Sequence, residues 1–95
     1  MSGSFDSSRC VTVGLPEGLH MRPLSILAKA AQEYSSEVFL RKGTQTADAK
    51  RPLELMTLAA DCGEEIWIEA RGADAEAAVS RLASLFASNF MEEEG

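Results

Sequence analysis

The stretch Glu65-Ile66-Trp67-Ile68-Glu69-Ala70 decides the fold expected for this 95-residue chain. Its apolar and charged residues alternate, which is the period of a β-strand whose two faces meet different surroundings. Ile66, Ile68 and Ala70 are expected to face a core, and Trp67 lies with the glutamates on the other face. This pattern indicates a sheet that is covered by helices on one face and open on the other.

Three further segments alternate in the same way. Two of them are joined into an antiparallel hairpin by the turn Lys42-Gly43, and Val38 and Leu40 are expected to face the core. The predicted strands are residues 10–13, 37–41 and 44–47.

Three segments repeat their apolar residues with the period of an amphipathic helix. The first runs from Met21 to about Tyr34, and the second is short and begins at Pro52. The third follows Asp74, which is expected to cap its N-terminus, and reaches Phe90. The order β-α-β-β-α-β-α predicts an α+β fold, an open-faced β-sandwich in which three helices cover one face of a four-stranded antiparallel sheet.

The length predicts one domain with a single core. We expect this domain at residues 9–91, after a flexible Ser-rich leader at residues 1–8 and before an acidic tail at residues 92–95. Nine basic and fifteen acidic residues give a net charge of −6, which argues against a nucleic-acid partner or an anionic membrane surface. No apolar run approaches the ~20 residues of a membrane span, and the N-terminus lacks the apolar core of a signal peptide. We therefore expect a cytoplasmic protein without membrane insertion.

The sequence offers few residues for disulfides, metal sites or cofactor binding. Its two cysteines, Cys10 and Cys62, are too few for a disulfide framework, and neither lies in a metal-binding spacing. No Gly-rich phosphate loop, HExxH or GxSxG motif is present in the sequence. We expect free thiols, no metal and no cofactor.

The hexapeptide Gly18-Leu19-His20-Met21-Arg22-Pro23 places the chain's one histidine at the N-terminus of the first predicted helix. Pro23 suits the first turn of a helix, where free backbone N–H groups, such as those of Met21 and Arg22, form a site for an anion. Neutral imidazole is a nucleophile near neutral pH, and the guanidinium of Arg22 can pair with phosphate oxygens. The hexapeptide thus predicts that His20 accepts a phosphoryl group, with Arg22 as the second catalytic residue. An isolated histidine more often caps a helix or packs in a core, and the sequence leaves this alternative open.

These residues resemble those of the HPr-like phosphocarrier proteins of the bacterial phosphoenolpyruvate-dependent phosphotransferase system. The hexapeptide is similar to the family's G-[LI]-H-x-R-P signature, and residues 48–58 resemble its second-helix motif at the expected distance. The resemblance covers residues 10–90 and implies that the Nδ1 nitrogen of His20 accepts the phosphoryl group from enzyme I. It also implies delivery to an enzyme II A-type or regulatory acceptor protein, by a monomeric carrier that is not a turnover enzyme.

The resemblance also places a docking surface for these partners near His20. An apolar patch on the second helix, ringed by cations in an otherwise acidic chain, would suit electrostatic docking and quick release. The alternative is that the apolar residues belong to the core and that the cations are ordinary solvated charges. The residues of this predicted docking surface are Arg22, Lys29, Arg51, Leu53, Leu55 and Met56.

Three positions depart from the family pattern. Arg51 stands where many members have a regulatory serine, so regulation by phosphorylation at this position is not expected. Met21 fills a position that is often small. Glu17, three residues before His20, repels an incoming phosphate, orients the imidazole or is a plain solvated turn residue, and the sequence leaves its role undecided while favouring the last of these.

Phe39 and Trp67 fall on the outward sides of their strands, and those strands are neighbours in the family's strand order. We therefore expect the two rings to pair across the strands on the open face. The residues around them, Glu37, Glu65 and Glu69, are acidic, which argues against a stacking platform for nucleic acid.

Two other function classes remain beside a phosphocarrier. One is a regulatory binding module of the same fold that controls a kinase or a transcription factor. The other is a self-contained enzyme that uses His20 as acid, base or nucleophile. The enzyme is disfavoured because no second histidine, Cys/His pair or metal cluster completes such a site.

Overall fold

A computed structural model of the chain describes residues 5–91, and they form a four-stranded antiparallel sheet with helices against one face. The elements in chain order are strand β1 Ser7–Thr12, helix α1 Met21–Ala31, strands β2 Glu37–Lys42 and β3 Gln45–Asp48, helix α2 Pro52–Leu55, a 3-10 helix Met56–Leu58, strand β4 Glu65–Arg71 and helix α3 Ala75–Ala87. The strands lie in the order β1-β4-β2-β3. The predicted α+β fold, an open-faced β-sandwich, is confirmed.

The core lies between the sheet and the helices. On β4, the side chains of Ile66, Ile68 and Ala70 are completely buried, as the alternation predicts. Leu24 and Leu27 of α1 face them from the helical layer and are also buried. Each buried leucine or isoleucine side chain stabilises the fold by about 1.5–3 kcal/mol through removal of apolar surface from water.

The second helical segment lies beside α1 and runs in the opposite direction. Near the C-terminal end of α1, the Gln32 side chain donates to the Lys50 carbonyl at 2.8 Å. Near the N-terminal end, the Leu19 N–H donates to the Ala60 carbonyl at 2.9 Å. Pro52 begins this segment as predicted, but the α-helix continues as a tighter 3-10 turn after Leu55. The segment therefore connects the two ends of α1.

The first strand begins earlier than expected. Strand β1 starts at Ser7, not near Arg9, and pairs with β4 from Ser7 opposite Ala70. Ahead of the strand, the Asp6 carboxylate accepts the Gly72 N–H at 2.8 Å. The backbone forms this pairing irrespective of the polar side chains, so a hydropathy pattern does not reveal it. Residues 1–4 of the predicted leader and the predicted tail, residues 92–95, lie outside the described residues.

On the open face, the predicted pair between Phe39 and Trp67 is wrong. Strands β2 and β4 are neighbours, but their register sets Phe39 opposite Glu69 and Trp67 opposite Arg41. The Arg41 guanidinium lies over the Trp67 ring, 5.6 Å from its centroid, and also pairs with the nearly buried Glu69 carboxylate at 3.1 Å. Phe39 instead meets the ring of Phe5 edge-on, with 6.1 Å between centroids. Each aromatic ring thus takes a different partner from the one predicted.

Asp74 precedes α3 as predicted, but its side chain does not cap that helix. Its carboxylate accepts the backbone N–H groups of Ser35 and Ser36, each at 2.9 Å, and both serine hydroxyls as well. The Ser36 hydroxyl is the largest of these influences, and together they lower the pKa of Asp74 to about 2. Asp74 therefore joins the start of α3 to the start of β2, and the predicted capping role is wrong.

Candidate functional site

His20 lies immediately outside the N-terminus of α1. Its backbone is extended, with φ −101° and ψ −174°, and its carbonyl accepts the Leu24 N–H at 3.1 Å. The side chain makes no capping hydrogen bond and is 46% exposed. The ring therefore neither caps the helix nor packs in the core, and it is accessible to a partner.

The turn before His20 is shaped by Gly18. This residue has φ +76°, a conformation that disfavours side chains, and its N–H donates to the Leu15 carbonyl at 2.9 Å. A Cβ built on Gly18 would lie 2.7 Å from the Ala60 carbonyl oxygen. The next residue, Leu19, donates its N–H to that same oxygen. The chain that leads to His20 is thus held tightly against residue 60.

The first turn of α1 offers positive charge to an anion. Helix α1 has eleven residues, and its first turn contains no acidic residue. The backbone N–H groups of Met21 and Arg22 precede the Leu24 N–H, which makes the first intrahelical hydrogen bond, so they lack helical partners. The Arg22 side chain is exposed and makes no ion pair with any residue between 5 and 91. These donors lie at the N-terminus of α1, next in sequence to His20, and the N-terminus of a helix favours an anion.

Glu17 approaches His20 from the other side. Its Oε1 atom lies 3.6 Å from the Nε2 atom of the imidazole, and both side chains are largely exposed. This distance exceeds that of a hydrogen bond, so the contact is a longer electrostatic one. The ring nitrogen that Glu17 approaches is therefore Nε2.

The apolar part of the predicted docking surface is only partly at the surface. Leu53 is 74% exposed and Met56 46% exposed, and Met21 beside His20 is also exposed. Leu55, by contrast, is 1% exposed and belongs to the core. The prediction that Leu55 belongs to the docking surface is wrong. Successive helical residues are about 100° apart, which sets Leu55 and Leu53 on opposite faces of a short helix. Leu55 is therefore a core residue, which is the alternative that the sequence left open.

The cations of the docking surface are spread along α1. Arg22 and Lys29 are seven residues apart, about two turns, so they share one exposed face of the helix. At 1.5 Å per residue, Lys29 lies about 13 Å along the helix from His20. Arg51 precedes α2, close to the C-terminal end of α1, and its side chain is 4.0 Å from Glu54. Arg22 alone is therefore adjacent to His20, and the other two cations lie toward the far end of α1.

Sequence reasoning did not identify Lys42 or Glu64 as relevant to this site. Lys42 ends β2, and its ammonium donates to the Ala59 carbonyl at 3.1 Å and to the Glu64 carboxylate at 3.2 Å. Both residues are distant from His20 in sequence, and neither belongs to a motif. Only the fold brings them to the loop that carries Ala60.

The described part of the chain offers neither a metal site nor a membrane-spanning helix. Between residues 5 and 91, no group of three His, Cys, Asp or Glu side chains could hold a metal ion. None of the helices described there is long and apolar enough to cross a membrane. Cys10 and Cys62 are both free thiols.

The chain matches one protein-family model over residues 7–88, described as the PTS HPr component phosphorylation site. Phosphocarrier protein HPr of Treponema pallidum is 36% identical over 76 residues, which cover 80% of this chain and 86% of that protein. The HPr-like protein Crh of Bacillus subtilis is 36% identical over 74 residues, which cover 78% and 87% of the two chains. A multiphosphoryl transfer protein of Xanthomonas campestris pv. campestris is 38% identical over 77 residues, but this match spans 81% of this chain and only 9% of that protein.

Solved structures agree with these sequence matches. The crystal structure of HPr-C-His from Thermoanaerobacter tengcongensis superposes with a TM-score of 0.86 at 28% identity, covering 93% of this chain and 99% of the other. A structure of an HPr dimer from the same organism gives a TM-score of 0.72 at 29% identity, covering 84% and 92% of the two chains. The fold and the family-model match thus point to the same group of proteins.

Proposed function

Because this chain belongs to the HPr family of phosphocarrier proteins of the phosphotransferase system, we propose that His20 is the residue on which it carries the phosphoryl group. The observation that carries the proposal is the placement of a half-exposed imidazole just outside the N-terminus of α1, without a capping bond. His20 is also the chain's one histidine. Arg22 stands beside it as the second catalytic residue.

The proposed transfer is a displacement at phosphorus between two imidazoles. The Nδ1 lone pair of His20 attacks the phosphorus on the phosphohistidine of enzyme I, and the electrons of the breaking N–P bond return to the enzyme I ring. The His20 ring keeps its proton on Nε2, the nitrogen that faces Glu17. In the second step the acceptor's nucleophile attacks, and His20 is the leaving group. The chain is thus a transfer intermediate and not a turnover enzyme.

Arg22 and the start of α1 stabilise the bound phosphoryl group in this proposal. The guanidinium supplies a forked charge for the phosphoryl oxygens, and the Met21 and Arg22 N–H groups supply further donors. The helix dipole contributes ~0.5–2 kcal/mol to an anion at such a terminus. A modest total is appropriate because a carrier must release the group to its next partner.

The docking surface for enzyme I and for an enzyme II A-type or regulatory acceptor protein is proposed around the same helix end. Its apolar members point outward, and its cations stand out in a chain of net charge −6, which suits acidic partners. Without Leu55, and with the exposed Met21 added, the proposed surface consists of Met21, Arg22, Lys29, Arg51, Leu53 and Met56.

The second candidate is a regulatory binding module that controls a kinase or a transcription factor. The similarity to Crh, an HPr-like protein, favours it. Arg51, however, offers no hydroxyl at the position of the family's regulatory serine. We place the phosphocarrier first, acting in the cytoplasm as a monomer that presents His20 to successive partners.

The proposed function is tested by passing label from phosphoenolpyruvate through enzyme I to this chain. The wild type should gain an acid-labile, base-stable phosphoryl group, and His20→Ala should gain none. Glu76→Gln, which alters an exposed side chain on α3, is the matched control and should be labelled like the wild type. An unlabelled wild type would refute the carrier and leave the regulatory module. Equal labelling of His20→Ala would refute His20 as the acceptor.

A further inference from the structure

Residues 59–64 form a floor loop beneath the chain that leads to His20. The Ala60 carbonyl accepts the Leu19 N–H at 2.9 Å, one residue before His20. At the other end of the loop, the Val13 N–H donates to the Glu64 carbonyl at 2.9 Å, and the Gly63 N–H donates back to Val13 at 2.8 Å. The segment 14–18 therefore arches between two attachment points on the floor loop.

Lys42 and Glu64 fasten the floor loop on both sides of Ala60. The Lys42 ammonium donates to the Ala59 carbonyl at 3.1 Å, on one side of residue 60. Glu64 Oε1 accepts the Asp61 N–H at 2.9 Å, on the other side. The same oxygen accepts from Lys42 at 3.2 Å, which joins the two attachments into one clamp.

The floor loop needs such support because of its backbone conformation. Ala59 has φ 48° and ψ 51°, in the left-handed region that disfavours a residue with a Cβ. A conformation of this kind persists only where its surroundings hold it. The hydrogen bonds from the Asp61 N–H and from Lys42 keep the pKa of Glu64 below its usual range, so its carboxylate is charged at neutral pH.

We propose that Lys42 and Glu64 are positioning residues for phosphoryl transfer, because they fix the Ala60 carbonyl and thereby the place of Leu19 and His20. This inference rests on the proposed function. Neither residue touches the phosphoryl group or belongs to the docking surface. A displaced His20 would meet the donor phosphorus less often at the ~3–3.5 Å that reaction requires. Loss of the clamp therefore lowers the rate constant of transfer and leaves the affinity for enzyme I unchanged.

Amide hydrogen exchange tests the structural half of the proposal without any partner protein. Lys42→Met removes the ammonium at similar side-chain length, and Glu64→Gln removes the charge at the same shape. We expect the Leu19 amide to exchange about threefold to tenfold faster in both variants, the effect of losing one net hydrogen bond. Glu37→Gln breaks a similar ion pair, with Arg71, at the opposite end of β2 and should leave Leu19 unchanged. Unchanged exchange in both clamp variants would refute the proposal.

Transfer kinetics from phosphorylated enzyme I test the functional half. In Lys42→Met and Glu64→Gln the maximal transfer rate should fall about threefold to tenfold while the KM for this chain stays within twofold. Lys42→Arg keeps a donor and should restore both Leu19 protection and rate. Faster Leu19 exchange with an unchanged transfer rate would show a merely structural clamp and overturn the inference. A wild type that takes no label would instead refute the proposed function, and with it the positioning role, whatever the exchange result.

Discussion

Replacing Gly18 by alanine tests how tightly the chain before His20 is held against the floor loop. At φ +76° a Cβ costs ~1–2 kcal/mol, and this Cβ would also lie 2.7 Å from the Ala60 carbonyl oxygen, a contact that forces the backbone to move. Alanine restricts the unfolded chain relative to glycine and so recovers ~0.4–1 kcal/mol. With ~1–3 kcal/mol for the overpacked contact, we expect Gly18→Ala to lower the free energy of unfolding by about 3 kcal/mol, within a range of about 1–5 kcal/mol.

Gly43 provides the matched control for this prediction. It has a similar φ of +61°, but a Cβ there would meet nothing within 4 Å. Gly43→Ala should therefore cost only the backbone part, about 1 kcal/mol. Urea unfolding followed by the fluorescence of Trp67, the chain's one tryptophan, measures both variants. Equal losses for the two variants would refute the argument that close approach to Ala60 holds the loop.

Three further predictions follow from burial, charge and pH. Leu55→Ala should lower the free energy of unfolding by about 2–5 kcal/mol, whereas Leu53→Ala, at an exposed position, should change it by less than about 0.5 kcal/mol. Urea titration measures both variants, and equal effects would contradict the assigned burial. Asp74→Asn should be less stable than the wild type above pH 4, because the pKa of Asp74 is lowered from 3.8 to about 2 in the folded protein. The difference in stability between the two proteins should shrink as pH falls through that range. A difference that stays constant down to pH 2 would show that the charge is not responsible. Lys29→Gln should raise the KM of enzyme I phosphotransfer a fewfold at low salt and little at high salt, with the maximal rate unchanged; a salt-independent KM would remove Lys29 from the docking surface.

The pattern of side chains along the strands was sufficient to predict the layers of this fold. Alternation in residues 65–70 identified the buried face of β4, and every apolar residue assigned to that face is buried. The helix start at Met21 was equally predictable, because Pro23 and the apolar repeat after it are local signals. Local signals of this kind concern one element at a time.

Features that depend on two elements were not predictable in the same way. The register between β2 and β4 separates Phe39 from Trp67, and hydropathy carries no information on register beyond the choice of face. Asp74 has the residue type of a helix cap, but the N–H groups of Ser35 and Ser36 bind its carboxylate. The contact of Lys42 with the floor loop likewise exists only once the hairpin is packed beside it.

The position of the candidate site in the fold was predictable where a short motif contains its residues and not where packing brings further residues to it. His20 and Arg22 follow from the hexapeptide, and the structure places both at the start of α1. The error at Leu55 arose because a helix of four residues is too short for its apolar period to define a buried face.

The pairing of β1 with β4 has a consequence for how the protein folds. Ser7 lies opposite Ala70, so the first strand finds its partner only after most of the chain has been made. Pairings between residues so distant in sequence close large loops, and proteins that depend on them fold more slowly than proteins built from local contacts. The Ala60 carbonyl that holds Leu19 lies in the floor loop, which leads into β4. A nascent chain that has already exposed His20 at the ribosome therefore lacks the support for that histidine, and the ability to accept a phosphoryl group should appear late in folding, together with the sheet.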